Sequence, residues 1–170
     1  MKYCSITTVT HDVVKRFPVI VENAYDIIAK EGCVLSTLSP FYDKTEIMLI
    51  NGDTLESNFC FLDGRNLSNK NKSVDIIFAT TENHNKQIVF VELKLNSKNF
   101  YTLDKTSFRE KATSSSKAIG NSIPISKKYY LIFNISKIEE AKRFLFRVNP
   151  RLDNDFVALT IPKLFSKFFS

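Results

Sequence analysis

The sequence predicts an α/β protein in which a mixed central sheet is flanked by helices. Three observations carry that expectation. Residues 74–79 and 88–95 are short apolar runs rich in Val, Ile and Phe, as strands are. Segments with strand-like and helix-like periodicity then interleave in the order α-β-β-β-β-α-β-α-β. Finally, 170 residues with a hydrophobic fraction of 44% and 15 phenylalanines supply one sizeable core, so the chain reads as a single domain over 1–170.

The elements follow in order. A first helix is expected over 18–31, because Pro18 suits a first turn, Gly32 suits a C-terminal cap, and Ile20, Val21, Ala24, Ile27 and Ile28 form a stripe. Residues 12–17 read as a short separate helical turn. Residues 33–38 are a weak strand and 45–50 a better one, with Asn51-Gly52-Asp53 as a tight turn. Residues 58–62 read as another strand, ended by Asp63-Gly64-Arg65, and 66–72 as a polar loop. The strands 74–79 and 88–95 are joined by the polar stretch 80–87. Residues 97–119 read as a helix carrying Phe100, Leu103, Phe108 and Ala112. A strand over 128–135 holds Tyr129, Tyr130, Leu131, Ile132 and Phe133. Ser136 and Glu139 have capping-box spacing and open a helix to about Val148, which Pro150 ends. A short strand over 156–161 and a basic, aromatic tail over 162–170 complete the chain.

Composition narrows the function classes. No run approaches the 18 apolar residues of a membrane span, and the first residues lack a signal-peptide core, so a soluble cytoplasmic protein is expected. Cys4, Cys33 and Cys60 are odd in number and widely spaced, which favours reduced thiols over disulfides or zinc. The four glycines form no phosphate loop. His11 and His84 are the only histidines, so nucleophilic triads are poorly supported and no organic cofactor is expected. The net charge of +6 is uneven. Residues 1–96 hold 10 basic and 12 acidic side chains, residues 97–128 hold 7 and 2, and residues 129–170 hold 7 and 4. That basic excess points to a polyanion partner, with nucleic acid fitting best.

It begins directly after an unusual pattern. Asp75 opens one apolar strand, and Glu92 and Lys94 close the next. About two acid-x-Lys matches are expected by chance from this composition, and two occur. Glu140 and Lys142 lie in a helical pattern, where residues two apart diverge. Glu92 and Lys94 lie in a strand, where residues two apart share a face, opposite Val89, Val91, Leu93 and Leu95. Two carboxylates and an ammonium at one hairpin edge equip a site for metal-dependent phosphodiester hydrolysis. The plainer alternative is a hairpin with ion pairs at its ends.

With Asp75 on one strand and Glu92-Leu93-Lys94 on the next, the chain resembles the PD-(D/E)XK nuclease superfamily, whose restriction-endonuclease-like core runs αβββαβ. The resemblance covers about residues 18–135, leaving 136–170 as a C-terminal helix-strand extension. It assigns 58–62 to the strand before Asp75, and 97–119 and 128–135 to the following helix and strand. Val74 stands where the family usually has proline. The resemblance implies an Mg²⁺- or Mn²⁺-dependent DNA endonuclease. Asp75, Glu92 and the Leu93 carbonyl would hold the metal, and Lys94 would assist the attacking water. Members often add an acid from the first helix; Glu22 is the natural candidate and Glu56 the second. Lys98, Lys105, Arg109 and Lys111 are candidates for contacting nucleic acid, DNA before RNA. One active centre serves one strand, so a homodimer is a simple route to double-strand cutting.

Two other classes remain open. A protein on the same fold can bind nucleic acid without cutting it, which salt-sensitive binding would reveal. The tail containing Leu164, Phe165, Phe168 and Phe169 can instead serve as a docking segment of a protein-interaction module.

Overall fold

The structure, a computed structural model, describes residues 1–32, 39–97, 99–100, 103–147 and 155–170, with the backbone alone at Lys105. Its centre is a mixed seven-stranded sheet: β1 (Lys2–Tyr3), β2 (Val21–Asn23), β3 (Met48–Asn51), β4 (Ile76–Glu82), β5 (Asn85–Lys94), β6 (Ile125–Phe133) and β7 (Phe156–Leu159). The order is β2-β3-β4-β5-β6-β7, and β1 pairs with the far end of β4. Pairing is antiparallel from β2 to β5 and parallel from β5 through β7.

Helices cover both faces, as the two-residue alternation of the strands requires. Ile77, Phe90, Leu131 and Phe133 pack beneath α2 (Asp12–Arg16), α4 (Gly52–Leu62), α5 (Lys105–Ile119) and α6 (Ile138–Arg147). Ile76, Phe78, Val89, Val91, Leu93 and Ile132 pack on the other face against α3 (Ala24–Lys30) and α7 (Ile161–Phe168). A short α1 (Ser5–Val9) follows β1. No helix among the described residues is long and apolar enough to cross a membrane.

Four expectations are corrected. Residues 18–31 are not one helix: Pro18–Ile20 is a 3₁₀ turn, Val21–Asn23 is β2, and only Ala24–Lys30 is α-helical. Residues 21, 22 and 23 pair with Ile50, Leu49 and Met48, and the Asn23 side chain caps α3 by accepting from the Tyr25 amide at 2.8 Å. Asn51-Gly52-Asp53 is not a tight turn, because Asn51 accepts from the Thr54 amide at 3.1 Å and starts α4. Residues 58–62 therefore belong to that helix, which buries Leu55, Glu56 and Cys60 at helical spacing, and the strand before Asp75 is β3. The stretch 80–87 is mostly strand: β4 and β5 pair as far as Glu82 with Asn85. Asn83 and His84, at φ 48° and 66°, form the two-residue turn between them.

The aromatic tail docks on its own domain. It forms α7, with Leu164 and Phe168 buried. The Phe168 ring lies 5.2 Å from both Phe78 and Tyr130 in edge-on geometry. Cys60 is a buried free thiol and Cys4 a partly buried one. Cys33 and the weak strand expected over 33–38 lie outside the described residues, as does the stretch around Pro150.

Candidate active site

Asp75 sits one residue before β4, held there by three contacts. Its neighbour Val74 donates its amide to the buried Ser115 hydroxyl of α5 at 3.0 Å. The Asp75 carbonyl accepts from the Gly52 amide at 3.1 Å. Its carboxylate accepts from the Leu93 amide at 2.5 Å. Glycine is required at 52, because a β-carbon there would lie 1.9 Å from the Val74 carbonyl oxygen. In an antiparallel strand pair the N–H and C=O of one residue point the same way, so the Leu93 carbonyl is directed to the Asp75 side as well.

Glu92 lies on the face of β5 that carries Phe90, beneath α5, and is completely buried. Two ammonium groups meet one of its oxygens. Lys94 Nζ lies 2.5 Å from Glu92 Oε1, and Lys111 Nζ lies 2.6 Å from the same atom. Lys111 also lies 3.8 Å from Asp75 Oδ1. The second oxygen, Glu92 Oε2, is buried with no hydrogen-bond partner of normal geometry. The two carboxylates and two ammoniums thus form one cluster at the mouth of the β4–β5 pair.

The charges couple. Burial first, then the Glu92 charge, push the Asp75 carboxyl up to about 7, against the pull of Lys111, the Leu93 amide and Lys94. Burial works against the Lys111 charge, but Glu92 and Asp75 outweigh it and hold its pKa above the ordinary lysine value. Asp75 and Lys111 open onto a cleft of about 510 Å³, walled in part by Asn51, Asp53, Lys70 and Lys72.

The structure brings Asp75, Glu92, Lys94 and Lys111 together and places Glu22 and Glu56 outside that cluster. Glu22 is on β2 rather than a helix, one step behind the cleft wall. It accepts from Asn51 at 2.8 Å and Thr54 at 3.2 Å, and pairs with Lys30 at 2.5 Å. Glu56 is buried and accepts from Arg65 at 3.1 Å and the Asn71 amide at 2.9 Å, outside the cluster. Arg109 is exposed on α5, Lys98 lies outside the described residues, and Lys105 is described by its backbone alone. Glu140 pairs with Lys137 at 2.8 Å and Lys142 with Glu139 at 2.6 Å at exposed positions, as ordinary solvated charges.

One residue near the cluster was not singled out from sequence. Tyr129 lies on the same face as Phe90, its pairing partner on β5, and its buried hydroxyl has no partner of normal geometry. Burial, then the charges of Glu92 and Asp75, and last a side-chain hydrogen bond with Glu92, push its phenol well above the ordinary tyrosine value. Its place depends on the β5–β6 register, which no local pattern encodes.

His11 offers no competing chemistry. Its Nδ1 accepts from the Val13 amide at 3.3 Å and caps α2. Burial lowers its pKa, so the neutral ring carries its proton on Nε2, 3.3 Å from Ser122 Oγ. That nitrogen has no lone pair with which to activate the serine.

Among the described residues, no group of three or more His, Cys, Asp or Glu side chains gathers to hold a metal. The two carboxylates nonetheless suit Mg²⁺ or Mn²⁺, which take few protein ligands and keep water and phosphate oxygens. No family model, curated protein or solved structure matches the chain.

Proposed function

We propose that the protein is a metal-dependent nuclease of the PD-(D/E)XK type, acting on DNA. The observation that carries this is the meeting of Asp75, Glu92 and Lys94 at the end of the β4–β5 pair, where Asp75 opens onto a cleft. The order α3, then antiparallel β3, β4 and β5, then α5 and β6, supports an αβββαβ core, with α4 inserted between its first two strands.

Asp75, Glu92 and the Leu93 carbonyl would hold Mg²⁺ or Mn²⁺. When bound, that ion supplies Lewis-acid polarisation of the phosphate and a more acidic water. Lys94 is placed to orient the attacking water and to balance the negative charge that grows on the phosphate. The Leu93 amide holds the Asp75 carboxylate in one orientation. Lys111 adds positive charge beside Asp75, and Lys98, Lys105 and Arg109 on the basic segment are the proposed backbone contacts for DNA. A homodimer would bring a second centre to the second strand.

The test is incubation of plasmid and single-stranded DNA with the protein in Mg²⁺, Mn²⁺ or EDTA, beside Lys94→Ala. Metal-dependent cutting that the variant loses is the expected result. Equal cutting by Lys94→Ala, or no cutting in any metal, contradicts the proposal.

A further inference from the structure

Positive charge already occupies the place between the two carboxylates. Lys94 and Lys111 both reach Glu92 Oε1, at 2.5 and 2.6 Å, and Lys111 extends toward Asp75 Oδ1 at 3.8 Å. With Asp75 ionised, two ammoniums balance two carboxylates and the cluster is neutral. Such compensation offsets the cost of burying the Glu92 carboxylate. A divalent cation arriving at the same carboxylates leaves an excess of two positive charges unless an ammonium departs.

The two lysines differ in their freedom to leave. Lys94 follows Glu92 by two residues on the same strand, and its ammonium lies 6.0 Å from the centre of the Phe108 ring. Lys111 comes from α5, bridges both carboxylates and lines the open cleft. Glu31 lines that cleft too, and its charge favours the Lys111 ammonium.

We propose that Lys111 is a displaceable internal cation. Its ammonium stands in for the metal in the metal-free protein, and a divalent cation binding at Asp75 and Glu92 moves it into the cleft, where it meets a substrate phosphate. This rests on the assignment of Asp75 and Glu92 as metal ligands. It makes Lys111 a positioning residue with opposite effects on two measurements: its loss tightens metal binding and slows cutting. A lysine that merely supports the site would weaken both.

The test is Mn²⁺ binding by titration calorimetry at about pH 8 without nucleic acid. Wild type, Lys111→Met, Lys111→Arg and Asp75→Asn are compared. An ammonium about 4 Å away is a strong enough charge to change cation affinity by about tenfold or more. Lys111→Met is therefore expected to bind Mn²⁺ at least that much more tightly than wild type, and Lys111→Arg about as wild type does. Thermal melts should show Mn²⁺ raising Tm more for Lys111→Met than for wild type. If Lys111→Met does not fold in EDTA, Lys111→Gln keeps a hydrogen-bond donor for Glu92 and takes its place. Equal or weaker binding by the neutral variant, with wild-type binding that Asp75→Asn abolishes, overturns the displacement and leaves the metal site standing. Absence of any Asp75-dependent Mn²⁺ binding overturns both.

Discussion

The backbone amide of Leu93 donates a hydrogen bond to the Asp75 carboxylate, with 2.5 Å between the heavy atoms. That bond links the start of β4 to the end of β5 just beyond their last ladder pair, Ile76 with Val91. It fixes one carboxylate beside a strand whose next residues are Glu92 and Lys94 on either side of Leu93. The arrangement costs stability, because burial disfavours the Asp75 charge and Glu92 repels it.

That cost is visible in pH. Asp75 holds its proton up to about pH 7 in the fold, whereas an unfolded aspartate releases it near the ordinary 3.8. The folded state thus binds more protons over that window, and the stability from this group is present below its lower end and lost as pH rises to about 7. In EDTA the wild type is expected to lose up to a few kcal/mol between about pH 4 and pH 7 relative to Asp75→Asn. Urea melts across that range check it; parallel pH profiles for the two proteins would contradict it.

Gly52 sets the distance between α4 and the residue preceding Asp75. A β-carbon at 52 meets the Val74 carbonyl oxygen at 1.9 Å, and backbone cannot give way as a flexible side chain does. Gly52→Ala is expected to destabilise the fold by about 1–3 kcal/mol, and by more if Asp75 cannot shift. It should also lower cutting at temperatures where the variant stays folded. Denaturant melts and cleavage rates on one preparation measure both.

Arg65 and Glu56 give a contrast. Glu56 is buried with Arg65 as its cationic partner, outside the Asp75–Glu92 cluster. Arg65→Ala strands a buried carboxylate and is expected to cost about 2 kcal/mol or more. Cutting by the folded fraction should be unchanged, and a loss of rate without a loss of stability would place Glu56 in the chemistry after all.

Phe168 tests the tail. It is 1% exposed between Phe78 and Tyr130. Phe168→Ala is expected to cost about 3–5 kcal/mol, while Phe61→Ser, at a position 81% exposed, should shift stability by no more than about 0.5 kcal/mol. Near-equal melts for the two variants would mean that α7 does not dock as described.

Local pattern made the sheet centre legible. Strands β4 and β5 are apolar enough to be recognised alone, and the strand period placed Glu92 and Lys94 on one face. The segments that misled were those whose neighbours decide. Val21–Asn23 fits a helical stripe and becomes a strand because β3 offers it a ladder. Asn51-Gly52 has hairpin chemistry, but the Asn51 side chain caps a helix. Lys111 was one of several lysines and arginines on a basic segment, and only the packing of α5 over β5 selects it for Glu92. Lys70 and Lys72 looked like loop charges, because sequence does not show that the loop lines the Asp75 cleft.

The most direct test of the central claim measures cutting and binding together for wild type, Asp75→Asn and Lys94→Ala. Single-turnover cleavage of labelled DNA in Mg²⁺ would be set beside DNA affinity of the same preparations in EDTA. The predicted result is a loss on the order of 10³-fold in cleavage rate for each variant, with affinity within a few-fold of wild type. Wild-type cleavage by either variant, or cleavage that persists in EDTA, would contradict the assignment of this cluster as a metal-dependent phosphodiester-cutting site.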